Sequence, residues 1–321
     1  MMSEFELIRQ YFTGRQPPQA HIPLGIGDDC ALMSMRSGQQ LAVSTDMLVE
    51  GRHFFAGTDP AMLGHKALAV NLSDLAAMGA VPRAFTLALA LPAVEETWLS
   101  EFSKGMFALA QLHQCQLIGG DTTKGPLTIS ITVLGEISPE TALRRDAAQL
   151  GDDVWVSGQL GEARLALAGR LKQHVLSAEA QHAADVRLHL PVPRVALGLA
   201  LRGIARAAID VSDGLVGDIG HILQRSGLGA TLWCDCLPLG PMLALQNRAM
   251  QRDYSLCGGD DYELCFSAPR TQRAQVLAAA QGVFTPVTRI GYLEAEPGLR
   301  IRDASDKLLS LQLTSFDHFT S

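Results

Sequence analysis

The chain has no excess of positive charge. Its formal net charge is −7, so no sequence-wide basic field draws nucleic acid. No apolar run reaches membrane-spanning length with the right flanks, so no membrane partner is expected. The N-terminus, Met1-Met2-Ser3-Glu4-Phe5-Glu6, is acidic and lacks the apolar region of a signal peptide. A cytoplasmic location is the expectation. Cysteine is sparse, six residues in 321, and a disulfide framework is not expected in a chain this size without export. Cys234-Asp235-Cys236 has no companion Cys-x-x-Cys or His pair and is a weak zinc signal. On an alternating strand its two thiols would share a face, and all six thiols are expected to be reduced and mostly buried. There is no twelve-residue EF-hand loop, no Gly-x-x-x-x-Gly-Lys-Ser/Thr and no kinase His-Arg-Asp or Asp-Phe-Gly.

What is present is length and apolar content for two cores: 321 residues, 47% hydrophobic and 18% charged. The chain is organised around residues 58–80. Thr58-Asp59-Pro60 predicts a helix start, with a capping Asp and Pro at the first helical position. Leu63, Ala67, Val70 and Leu75 lie close to one apolar face, and Gly79 ends the helix. Asn71 and Asp74 are one turn apart on the same side, so their oxygens can meet one ligand. Strands are expected over 41–46, 84–91 and 127–137, and helices over 5–13 and 95–113. The polar segment 138–151 separates residues 1–140 from 150–321. The second half predicts strands at 154–157, 229–234, 287–293 and 298–303. It predicts helices near 161–172, 194–204, 216–226, 241–251 and 271–281. Both halves mix strands with helices, an α/β (α+β) pattern.

Acidic clusters occur at 28–29, 46, 74, 121, 210–213 and 260–263, most of them where an apolar run meets a glycine. Asp, Ser and Thr oxygens are hard ligands and suit Mg²⁺, which usually brings phosphate with it. No His/Cys set suits a transition metal. The residues alone point to Mg²⁺-dependent phosphate chemistry.

Six motifs follow one another. They are Gly25-Ile26-Gly27-Asp28-Asp29, Ser44-Thr45-Asp46, Asn71-Leu72-Ser73-Asp74-Leu75-Ala76-Ala77-Met78-Gly79, Gly119-Gly120-Asp121-Thr122, Asp210-Val211-Ser212-Asp213-Gly214-Leu215 and Gly258-Gly259-Asp260-Asp261-Tyr262-Glu263-Leu264. In that order they resemble the bacterial thiamine-monophosphate kinases, within the superfamily of aminoimidazole-ribonucleotide synthetase-like ATP-binding proteins. The resemblance runs from about residue 4 to Phe316-Asp317-His318-Phe319. It implies an N-terminal α/β domain (1–140) that binds ATP and Mg²⁺ and gives strands to a barrel shared by a homodimer. It implies a C-terminal α+β domain (150–321) and an active-site cleft between the two. It implies transfer of the ATP γ-phosphoryl group to thiamine monophosphate, giving thiamine diphosphate.

Carried over residue by residue, the resemblance implies that Asp29, Ser44, Thr45, Asp46, Asp74, Asp121, Asp210 and Asp213 hold several Mg²⁺ ions. Asp46, Asp74, Asp121 and Asp213 would stand at the reacting phosphates, and Asp28 could orient its loop instead. Gly120, Asp121, Arg145 and Ser212 would contact ATP; His53, Asp260 and Phe319 would contact the vitamin. Lys66 and Lys124 could touch phosphate, though lysines in such places are more often solvated. The family motif usually reads Gly-Gly-Glu-Asp-Tyr, whereas this chain has Asp260. Its carboxylate is one methylene shorter and reaches about 1 Å less far. A selenophosphate synthetase would need a reactive Cys or selenocysteine in an N-terminal loop, and nothing before Cys30 qualifies. A hydrogenase-maturation dehydratase would need a C-terminal Cys, and this sequence ends Phe319-Thr320-Ser321. A non-catalytic Mg²⁺-nucleotide-binding dimer is the reading from another class.

Overall fold

The structure is a computed structural model that describes residues 3–311 and residue 313. It divides into two compact units: residues up to Leu75 with Ala80–Glu140, and Ala76–Gly79 with Thr141 onward. The first contains α1 (Glu4–Tyr11), β1 (Gln40–Val49), most of α2 (Pro60–Met78), β2 (Val81–Leu91), α3 (Glu96–Leu112), β3 (Gln116–Lys124) and β4 (Thr128–Ile137). The strand order is β1-β4-β2-β3. β2 and β3 run parallel, which the α3 crossover between them permits, and the other pairs are antiparallel.

Local chemistry sets the helix starts. Ser3 and Glu6 form a reciprocal capping box on α1. The Asp59 carboxylate accepts from the Met62 N–H at 2.9 Å just ahead of Pro60, so α2 starts where the sequence predicts. The expected single apolar stripe of α2 is too narrow. Leu68 and Leu72 lie outside it and are as fully buried as Leu63 and Leu75. Each such leucine contributes roughly 1.5–3 kcal/mol by leaving water. β3 continues through Gly119-Gly120 to Lys124 instead of stopping at the glycines.

The second unit holds β5 (Asp153–Ser157), α4 (Glu162–Arg170), α5 (Ala178–His189), α6 (Val195–Ala200), β6 (Ala207–Asp210), α7 (Leu215–Ser226), β7 (Gly229–Trp233), α8 (Arg248–Cys257), β8 (Leu264–Ala268), α9 (Arg273–Gly282), β9 (Val287–Glu294) and β10 (Gly298–Arg302). Its six-stranded sheet has the order β10-β7-β9-β5-β8-β6. A core of aliphatic side chains from β5, β6, β7 and α7 packs against it. The helix expected near 241–251 is instead a 3-10 turn, Leu243–Leu245, followed by α8. Asn247 decides the start of α8, its side chain accepting from Met250 N–H at 3.0 Å. α5 was not expected, because its Ala- and His-rich run has no apolar periodicity. Cys234–Cys236 forms a 3-10 turn, not a strand, so Cys234 is buried and Cys236 exposed. The cysteines are free thiols, three of them buried, and Cys30 is also exposed. No described helix is long and apolar enough to cross a membrane.

Candidate active site

In the first unit, oxygen-bearing side chains gather where β1 passes α2. Alternation along β1 sends Ser44 and Asp46 to one face and Thr45 to the other. On the first face the Ser44 hydroxyl donates to the Asp74 carboxylate of α2. The Asn71 side-chain oxygen accepts from the Asp46 backbone N–H at 3.0 Å, and its Nδ2 donates to Ala67 O at 2.9 Å. Asn71 and Asp74 therefore share a side of the helix, as their spacing predicts. The Asn71 amide is committed to backbone groups, so it fastens α2 to β1. Ser44, Asp46 and Asp74 are all half-buried.

Thr45 faces Thr132 across the ladder, hydroxyl to hydroxyl at 2.8 Å. The register runs from Met47 through Ser130 and Ala88 to Asp121, which puts Asp121 in a row of the Thr45 face. The fold thus brings Ser44, Asp46 and Asp74 together and sets Thr45 and Asp121 on the opposite face. Gly120 precedes Asp121 because β2 passes so near: a Cβ there would lie 1.8 Å from Leu87 O. Asp29 is exposed in its glycine loop, where Asp28 Oδ1 accepts from its N–H at 2.9 Å. The half-buried His53 accepts at Nδ1 from Val49 N–H at 2.9 Å. That bond leaves Nε2 as the N–H of the neutral ring. Lys66 is buried rather than solvated.

In the second unit two loops are knitted together. The first follows Asp210, the last residue of β6, and carries Ser212 and Asp213 towards α7; Asp210 is buried and the other two are half-buried. The second precedes β8 and carries Asp260. Asp260 N–H donates to Ser212 O at 2.9 Å, Tyr262 N–H to Val211 O at 2.8 Å, and Val211 N–H to Glu263 O at 2.8 Å. Asp260 and Tyr262 both sit in the left-handed region, at φ 67° and 50°. Two non-glycine residues held there so close together mark a loop whose surroundings impose its shape. Gly214, at φ 113°, lets the first loop pass close to the end of α8, since a Cβ would lie 2.7 Å from Cys257 O.

Arg145 is exposed beyond the 3-10 turn Pro139–Thr141, and its carbonyl accepts from the Ser226 hydroxyl at 2.8 Å. Its neighbour Arg144 forks onto Asp146 at 2.9 and 2.6 Å. Phe319 lies outside the described residues. Among the described residues, no three His, Cys, Asp or Glu side chains stand close enough together to hold a metal ion.

Each α/β unit is matched by a known family. Residues 27–137 match the family model "AIR synthase related protein, N-terminal domain", and residues 149–304 match "AIR synthase related protein, C-terminal domain". The thiamine-monophosphate kinase of Salmonella typhimurium is 44% identical over 322 residues, which cover 99% of this chain and 98% of that one. The chain belongs to the thiamine-monophosphate kinase family. The crystal structure of thiamine-monophosphate kinase from Stenotrophomonas maltophilia K279a is similar at TM-score 0.86 and 46% identity, over 92% of this chain and 95% of that chain. The structure of AaThiL complexed with AMPPCP and TMP is similar at TM-score 0.78 and 30% identity, over 89% of each chain.

Three carboxylates in or beside the motifs, Asp218, Asp261 and Glu263, were given no role by the sequence reading. Asp218 Oδ2 accepts from the N–H groups of Ser212, Asp213 and Gly214, each at 3.1 Å. Burial, then the nearby Asp213 charge, pushes the Asp218 carboxyl up to about 7, although the three N–H groups pull the other way. Asp261 Oδ2 accepts from Gly161 N–H at 2.8 Å. Its carboxyl is raised well above the usual range, chiefly by burial, with the Glu263 and Asp260 charges adding to the rise. Glu263 is buried and receives Arg194 at 2.6 and 2.5 Å and the Ser157 hydroxyl at 2.6 Å. One signal for Asp218 was available. It is an acid in the first turn of a helix that follows a glycine-bearing loop, where amide N–H groups need an acceptor.

Proposed function

We propose that this member of the thiamine-monophosphate kinase family transfers the γ-phosphoryl group of ATP to thiamine monophosphate, giving thiamine diphosphate and ADP. The observation that carries the reading is similarity along nearly the whole chain to kinases of this name, one of them seen with an ATP analogue and TMP. An oxygen of the substrate phosphate forms a bond to the γ-phosphorus as the bond to the β-phosphate oxygen breaks. The acceptor is already an anion, so no strong base is needed, and placement and charge neutralisation carry the rate.

The donor chemistry fits Mg²⁺. Ser44, Asp46, Asp74, Asp210 and Asp213 offer hard oxygens, and Mg²⁺ is commonly held by one or two carboxylates with phosphate oxygens and waters supplying the rest. In this proposal those residues hold Mg²⁺ beside the nucleotide, with Asp29, Asp121 and Thr45 as further ligands; Thr45 would act through its backbone, since its hydroxyl is turned to Thr132. Bound there, Mg²⁺ would neutralise charge on the transferring phosphoryl group. Gly120, Arg145 and Ser212 contact ATP. His53 offers its Nε2–H, and Asp260 an acceptor, to the vitamin; Phe319 belongs to the same assignment. A homodimer is part of the proposal. It is supported by the exposed apolar side chains of Leu41, Val43 and Met47 along one face of β1. The deciding experiment is coupled ADP release across a panel of phosphorylated vitamins. Turnover confined to thiamine monophosphate is expected, and no turnover with it sinks the reading. In sedimentation, Val43→Asp should shift the protein towards monomer.

A further inference from the structure

The segment between β6 and α7 ends in three consecutive backbone N–H groups at the start of a twelve-residue helix. Such a cradle is where a strand–loop–helix protein can take a phosphate. Here the cradle is filled from within. Asp218, 3% exposed, turns back from the first turn of α7, and one of its oxygens accepts all three N–H groups at 3.1 Å. We propose that Asp218 is a positioning residue: its carboxylate occupies the anion cradle of α7, so nucleotide phosphates are engaged by the side chains of the Ser212–Asp213 segment and their cations instead of by its backbone.

The consequence reaches the second loop. Ser212 O and Val211 O accept from Asp260 and Tyr262, so the backbone that Asp218 holds is the backbone on which the strained loop is hung. A Cβ at Gly259 would lie 2.4 Å from Ser212 O, which leaves little room for either loop to shift alone. One buried carboxylate therefore sets the place of a nucleotide-side segment directly and of Asp260 at one remove. The nucleotide part of this inference rests on the reaction proposed above; the positioning part rests on the hydrogen bonds alone.

The test uses the full-length protein. Amide hydrogen exchange over 211–216 is measured before and after adding Mg²⁺ with the ATP analogue AMPPCP, and analogue affinity is measured by calorimetry. The variants are Asp218→Ala, Asp218→Asn and, as a structural control in the same unit, Asp185→Ala, which breaks the Asp185–Arg170 pair. In the wild type the three amides should already be protected without nucleotide. Asp218→Ala should accelerate exchange there on the order of ten-fold or more and weaken the analogue roughly ten-fold, with a smaller rise in KM for thiamine monophosphate. Asp218→Asn should restore both, because the amide oxygen accepts the same N–H groups. Asp185→Ala should lower the melting temperature and leave exchange over 211–216 and analogue affinity unchanged. Free exchange of the three amides in the ligand-free wild type would overturn the inference even if Asp218→Ala does not fold. So would Asp218→Asn behaving as badly as Asp218→Ala, or Asp185→Ala reproducing its pattern. A wild type that releases no ADP with thiamine monophosphate sinks the proposed reaction; exchange and analogue binding still decide the role of Asp218.

Discussion

Four carboxylates of the second unit keep different company from those where β1 passes α2 in the first. In the second, Asp153 is gripped by Arg273 and Arg289, Asp235 by Arg252 and Arg248, Asp185 by Arg170 and Glu263 by Arg194. In the first, Asp74 meets the hydroxyl of Ser44, and the backbone of Asp46 meets the amide of Asn71. Glu136 of that unit is gripped by Arg36 and Arg83 and is paired across the ladder with Leu41, five residues along β1 from Asp46. The two arrangements suit different tasks. An acid inside an arginine fork has its charge met by a fixed cation and serves the fold. In the proposed reaction the carboxylates of Asp46 and Asp74 face Mg²⁺ and phosphate instead.

The largest expected effect tests the fold side of this contrast. Glu263→Ala strands the Arg194 guanidinium, whose side chain is only 13% exposed. Leaving a buried charge uncompensated costs about 3–5 kcal/mol. Chemical denaturation should read that loss, and thermal melting a fall of roughly 10 °C. A loss below about 1 kcal/mol would remove Glu263 from the acids that hold the fold.

The functional side comes next. Asp46→Asn and Asp74→Asn should each lower turnover by about 10² or more, since each is assigned to a phosphoryl-transfer clamp. Without Mg²⁺ their melting temperatures should hold or rise slightly, because repulsion between carboxylates is relieved. Wild-type turnover by both at saturating Mg²⁺, or a melting temperature that drops as in Glu263→Ala, would erase the difference between the units.

Arg145→Ala should weaken ATP roughly ten- to a hundred-fold, the worth of one charge-assisted hydrogen bond. Thiamine monophosphate should be less affected. An unchanged ATP dissociation constant in calorimetry would return Arg145 to the solvent.

The smallest and most selective effect is at Asp260. Its φ of 67° suits Asp and Asn better than Glu or Ala, so Asp260→Asn removes the charge without disturbing the backbone. It should raise KM for thiamine monophosphate by roughly ten-fold or less and leave KM for ATP nearly unchanged. Asp260→Glu gains reach and loses backbone preference, so its net effect on KM should be small. Equal damage to both constants by Asp260→Asn would move the residue from the vitamin to the nucleotide.

Much of this was legible in the amino-acid order. Asp59-Pro60 and Gly79 bounded α2, because a cap, a fixed φ and a left-handed stop act within a few residues. Asn71 and Asp74 shared a side because helical geometry alone demands it. The six acid-bearing motifs in their order disclosed the family, since each is a short segment whose chemistry its neighbours set. Pairing was not legible. Alternation alone turns Thr45 from Ser44 and Asp46, but only pairing puts it against Thr132, and Asp121 followed a register that passes through two other strands. Asn71 looked like a ligand group until Asp46 N–H came within reach. Asp218 is close in sequence to the segment it holds, yet its role depends on three amides converging on one oxygen. Glu263 and Arg194 are far apart in sequence and meet inside the second unit. Local order sets which groups are offered, because capping, spacing and turns are short-range. The tertiary structure sets which of them meet, because hydrogen bonds and ion pairs form only where the packed chain brings donor and acceptor within about 3 Å.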